Sequence, residues 1–71
     1  MHKVKFFRKQ AGKSQADLAK EIGLVPSAIS NYENGTRTID IPTAQKIVRA
    51  LNRWGMNVSL SDVFPVEQTA A

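Results

Sequence analysis

Apolar residues recur along the chain with the period of a helix. Val4, Phe7 and Ala11 stand at i, i+3 and i+7, a spacing that gathers side chains on one helical face. They predict a first helix over about Lys3–Ala11, stopped by Gly12. Leu18, Ala19 and Ile22 form the stripe of a second helix over about Gln15–Ile22. Ser14 stands at its N-cap, with Asp17 three residues on, a capping box with Asp in place of Glu. Gly23 then fits the left-handed position that closes a helix. A third helix is predicted over about Pro26–Tyr32. Proline suits its first turn, because an N–H there has no helical acceptor. Val25, Ile29 and Tyr32 read as its buried face, and Asn34-Gly35 as its end. Asp40 caps a fourth helix with Pro42 in the first turn. This helix carries the longest stripe, Ile41, Ala44, Ile47, Val48 and Leu51, and ends near Gly55.

Met56 to Phe64 fits two patterns. Met56, Val58 and Leu60 alternate with polar residues, as in a strand. Ser61-Asp62-Val63-Phe64 reads instead as a short helix capped by Ser59 or Ser61, and this is the favoured reading. Pro65 ends it. Residues 1–65 then form one all-α domain of five helices, and 66–71 a loose tail.

Composition narrows the chemistry. A chain of 71 residues makes one domain and buries only about 60% of its unfolded surface. It has no cysteine, so no disulfide or thiolate metal site. Its one histidine, His2, sits beside a terminus expected to fray, so no structural metal or other cofactor is expected. Stability is left to dense helix packing, self-association or both. No apolar run approaches the ~20 residues of a membrane span, and no signal core follows the N-terminus. A soluble, cytoplasmic protein without membrane contact is the expectation. The net charge of +4 is one-sided: Lys3, Lys5, Arg8, Lys9 and Lys13 precede any acid, while Asp62 and Glu67 stand alone after Trp54. Such a chain is drawn to polyanions, but a lysine-rich solvated surface has the same composition.

The segment Gln15–Gly35 decides between them. Two short helices meet at Gly23, with Ala19 four residues before it and Ile29 six residues after. Helices crossing at a wide angle need a small residue where their backbones approach, which Ala19 supplies. The turn needs a residue that accepts positive φ, which Gly23 supplies. Ile29 reaches the core and fixes the second helix. The runs Ser14-Gln15-Ala16-Asp17-Leu18-Ala19, Ile22-Gly23 and Ile29-Ser30-Asn31-Tyr32-Glu33-Asn34-Gly35 resemble the Cro/cI/Xre helix-turn-helix family of phage repressors, controller proteins and antitoxins. The likeness runs from about Val4 to Phe64. It implies a five-helix, lambda-repressor-like domain whose third helix enters the major groove of double-stranded DNA, usually as a homodimer.

Residue roles follow from that resemblance. Val25, Pro26, Ser27, Ser30 and Asn31 match the base-facing positions. Asn31 suits a bidentate pair with adenine, and Val25 either packs on a thymine methyl or joins the core. Val25 and Pro26 replace polar residues common in the family, which makes base readout sparse and leans on DNA shape. Lys13, Gln15, Asn34, Gly35, Thr36 and Arg37 match positions that skirt the phosphates. Lys13 replaces an apolar residue, so it is a solvated side chain or an added contact. Arg8 and Glu33 match a partly buried structural salt bridge. Phe6 falls beside the core face. Trp54 and Met56 fall in an insertion before the fifth helix. With Val58 and Leu60 they either cap the core or form a dimer seam.

These residues admit three functions. A Cro-like or cI-like repressor of a bacterial or phage-infected cell is the leading reading, with a near-palindromic operator. An antitoxin with a toxin protein as second partner is the alternative, prompted by the alternation over Met56–Ser61. An enzyme is disfavoured: no two acids share a cleft, no phosphate loop is present, and no small-molecule substrate is expected.

Overall fold

The computed structural model describes residues 2–65, which form α1 (Val4–Gln10), α2 (Gln15–Ile22), α3 (Pro26–Asn34), α4 (Ile41–Arg53) and α5 (Leu60–Val63). The tail expected at 66–71 lies outside the described residues. The fold is all-helical, and no strand occurs among the described residues. α2 packs against both α3 and α4, while α1 and α5 pack on α4. Val4, Leu18, Ile29, Ile47, Leu51 and Val63 are fully buried where the helices meet, so every helix contributes to one core.

Local chemistry sets the helix ends. Ser14 Oγ accepts the Asp17 N–H at 3.0 Å while Asp17 Oδ2 accepts the Ser14 N–H at 2.9 Å, which completes the capping box of α2. Asp40 Oδ1 accepts the Thr43 N–H at 3.2 Å and caps α4. Gly23 closes α2 at φ 78° and Gly35 closes α3 at φ 80°, in the left-handed region. Ser14→Ala should cost about 1 kcal/mol of stability, read as a lower urea midpoint with an unchanged slope.

Met56–Phe64 resolves as a short helix, with the strand-like alternation in extended coil. Ser59 and Asp62 form a second capping box at the start of α5. The Asn52 side chain claims both backbone groups of Val58, donating to its carbonyl at 2.9 Å and accepting its N–H at 2.8 Å. A β-ladder at that residue would lack its N–H donor and compete with Asn52 for its carbonyl.

Three expectations are corrected. Val25 is 61% exposed and not on the buried face of α3; Ala28, Ile29 and Tyr32 form that face. Val25 precedes a proline and is extended (φ −95°, ψ 154°), outside the helical period. Ile41 is 66% exposed, because the first residue of α4 lies ahead of the core, and Ala50 is buried further along the helix. His2 does not fray. Its Nε2 lies 3.0 Å from the Tyr32 carbonyl, its Nδ1 accepts the Val4 N–H at 3.3 Å, and its ring lies 5.5 Å from that of Phe64. The adjacent Lys3 N–H donates to Val63 O at 2.8 Å. The start of the chain thereby straps α1 to the ends of α3 and α5. Phe6 lies off the core, 55% exposed and edge-on to Phe7.

Stability should fall on acidification. Hydrogen bonds from Ser14, Thr43 and Ser59 hold the Asp17, Asp40 and Asp62 carboxyls below their ordinary value of 3.8. A depressed carboxyl contributes stability that is fully present above its unfolded value and lost as pH falls through the folded one. The urea midpoint should therefore decline below about pH 4.

Candidate nucleic-acid interface

The pair α2–α3 bends about Gly23, where the Leu24 N–H reaches back to Ala19 O at 2.8 Å. Ala19 is 1% exposed and carries no side chain beyond Cβ, so the two helices approach closely. Burial of Ala28, Ile29 and Tyr32 fixes the rotation of α3 about its axis. The opposite face then carries Ser27 and Asn31, both exposed, and Ser30, half-buried. Val25 and Pro26 are exposed at its N-terminal end. Val25 offers no capping side chain, so the first N–H groups of α3 lack the capping bond that Ser14 gives α2.

The loop after α3 is tied to Asn31. The Asn31 carbonyl accepts the Thr36 N–H at 3.0 Å, the Thr36 hydroxyl at 3.2 Å and the Arg37 N–H at 3.2 Å. Its side-chain carboxamide bonds to none of the described residues, leaving it open for a base edge. Arg37 lies with its guanidinium 5.8 Å from the Tyr32 ring centroid. Asn34 is the last residue of α3 and not part of the loop; its amide reaches Ser30 Oγ at 3.4 Å.

Arg8 is the one buried charged residue on α1 and sets the joint beneath this face. Its Nε donates to Glu33 Oε2 at 2.7 Å and its Nη2 to Glu33 Oε1 at 3.0 Å. Nη1 donates to Lys13 O at 2.8 Å. Gln15 Nε2 joins them, donating to Glu33 Oε1 at 3.0 Å. Burial works against ionisation of Glu33, but the bonds from Arg8 and Gln15, with the charges of Arg8 and Lys5, outweigh it and hold the carboxyl below 4.5. The network joins α1, α2 and α3. The Gln15 amide has a second N–H to offer a phosphate at the N-terminus of α2. Its bond to Glu33 had no local signal in the sequence, since the two residues are 18 apart.

The remaining expected residues sit elsewhere. Lys13 is half-buried, with Nζ 5.3 Å from the Trp54 ring centroid. Trp54, Met56 and Val58 are half-buried and packed against the core, while Leu60 stays 38% exposed.

Residues 4–53 match the helix-turn-helix family. The chain belongs to that family. It is similar over 68 residues, 34% identical, to Antitoxin HipB of Escherichia coli O6:H1 (strain CFT073), a match covering 96% of this chain and 69% of that protein. It is 40% identical over 48 residues to Antitoxin HipB of Escherichia coli K12, covering 68% of this chain and 54% of that protein. As a helix-turn-helix domain the chain is a DNA-binding module, and both the family and these relatives are non-enzymatic kinds of protein. No helix among the described residues is long and apolar enough to cross a membrane.

Proposed function

We propose that this chain is a sequence-specific, double-stranded-DNA-binding regulator that also serves as the antitoxin of a toxin–antitoxin pair. The similarity to two proteins named antitoxin, one of them running along 96% of the chain, carries the reading. It ranks the antitoxin above a Cro-like repressor acting without a protein partner. In this reading α3 enters the major groove and Asn31 pairs with an adenine edge. Ser27 and Ser30 add hydrogen bonds, while Val25 and Pro26 make apolar contact. Gln15, Asn34, Gly35, Thr36, Arg37 and Lys13 approach the phosphates. Two copies bind a near-palindrome with half-sites about one helical turn apart.

Selecting duplexes from a random pool tests the DNA part, because site sequence, symmetry and spacing emerge together. Asn31→Ala should weaken the selected site by about 1–3 kcal/mol and leave random duplex nearly unaffected. Equal losses on both would remove Asn31 from base reading. The antitoxin part is tested by expressing the neighbouring gene's product alone and with this chain. Growth arrest relieved by co-expression supports it; a neighbour that is harmless, or harmful in both cases, removes it.

A further inference from the structure

Lys46, Arg49 and Arg53 stand on α4 at i, i+3 and i+7, and all three are exposed. Like charges at three- and four-residue spacings repel, so this stripe is a local cost that folding does not require. Facing it, the last turn of α2 brings Glu21 and Ile22. Together with Ala50, these residues line a groove of about 240 Å³. Ile22, 9% exposed, and Ala50, 2% exposed, lie at its floor beneath the charged side chains. One carboxylate already sits at its end: Glu21 accepts a hydrogen bond from Arg53 Nη1. Lys46 and Arg49 form no ion pair with a described acid. The Lys46 charge favours ionised Asp40, but that carboxylate is engaged in capping α4. α2 lies between the groove and α3, and none of the residues assigned to DNA lines it.

We propose that this α2/α4 groove docks an acidic segment of the protein partner, which on the antitoxin reading is the toxin. Carboxylates pair with Lys46 and Arg49, and an apolar side chain between them lies on Ile22 and Ala50. A second copy of this chain does not fit, because a two-fold contact here would set the cations against their own images. Duplex DNA does not fit either. A duplex held by α3 lies across α2 from the groove.

The test titrates the isotope-labelled full chain, followed by backbone amide NMR, with a capped peptide of two Glu, one Leu and two Glu. The expected shifts fall on Glu21, Ile22, Lys46, Arg49 and Ala50, and persist when the selected duplex is already bound. Lys46→Gln with Arg49→Gln should weaken the peptide about tenfold, the scale of two exposed ion pairs, and leave duplex affinity within about twofold. An unchanged thermal midpoint for the variant excludes misfolding. Peptide shifts on Ser27, Asn31 and Arg37, or none at all, overturn the proposal. So does a duplex affinity that falls as far as the peptide's. With a neutralised toxin in hand, the same double variant should lose neutralisation while retaining the duplex. Failure of the unaltered chain to neutralise removes the antitoxin reading, while the peptide titration still decides the groove.

Discussion

Arg8→Met should destabilise the domain by about 3–5 kcal/mol, because it strands a buried carboxylate. The Glu33 side chain is 2% exposed and that of Arg8 8%, so water replaces little of what is lost. Three donors leave together: the two bonds to Glu33 and the one to Lys13 O. Gln15 Nε2 alone would remain on Glu33. A domain of this size has a total stability of roughly 4–10 kcal/mol, so the variant should sit near the edge of unfolding. Arg8→Met combined with Glu33→Leu should recover most of the loss, since no charge is then left without a partner. The pH response supplies a second sign. In the unaltered protein Glu33 is held below its ordinary value, and its stabilising effect is lost as pH falls through that depressed value. Without Arg8, burial is opposed only by the Gln15 bond and the Lys5 charge, so the carboxyl should titrate higher than in the unaltered protein. The penalty is then present at neutral pH and shrinks as Glu33 takes up a proton. Urea midpoints at pH 7 and pH 5 should thus show a narrower gap between the two proteins at pH 5. A single variant within about 0.5 kcal/mol of the original, as for an ordinary surface residue, would mean that the Arg8–Glu33 pair is not the joint holding α3.

Residues that act on near neighbours were legible in the sequence, and residues that act across the fold were not. Ser14 with Asp17 needs only three residues to declare a helix start, and Gly23 and Gly35 declare an end by their freedom at positive φ. The apolar stripes of α2 and α4 locate the core because helical period alone selects them. Val25 misled, since an apolar residue in register with Ile29 counts as core only if it lies inside the helix, and Pro26 holds it outside. Met56–Leu60 was ambiguous for a related reason. Alternation describes extended backbone, whereas strand pairing depends on a partner, and Asn52 occupies the groups such a partner would need. His2 could not be read at all: its position follows from Tyr32 and Phe64, brought beside it by α3 and α5. The outer face of α3 was legible through the motif, but the tie from Asn31 to Thr36 and Arg37 emerges only once the chain turns at Gly35.

Affinity for the selected duplex should fall on the order of 10²-fold when salt rises fourfold, the second large effect expected. Of the residues placed near phosphates, Lys13 and Arg37 alone carry full charge. Two cations per protomer and two protomers on the site give a log–log slope of about −3.6, at −0.9 per neutralised phosphate. Gln15, Asn34, Gly35 and Thr36 are neutral, so they add affinity without adding slope. The two cations are not equivalent. Arg37 extends from a loop bonded to Asn31, over the ring of Tyr32, a residue whose burial fixes α3. Arg37→Ala should flatten the slope by about 1.8 and weaken selected and random duplexes alike. Lys13 instead lies against Trp54, and must leave that ring to reach a phosphate. Trp54 is the only tryptophan in the chain, so its fluorescence reports the departure. If Lys13 is a contact, duplex changes the Trp54 emission, and Lys13→Ala abolishes the change while flattening the slope as Arg37→Ala does. If emission and slope are both indifferent to Lys13, the ammonium stays on the indole and Arg37 carries the electrostatic term. The expected slope is then about −1.8. A duplex affinity independent of salt would remove phosphate contact by either cation, and with it the placement of α3 in the groove.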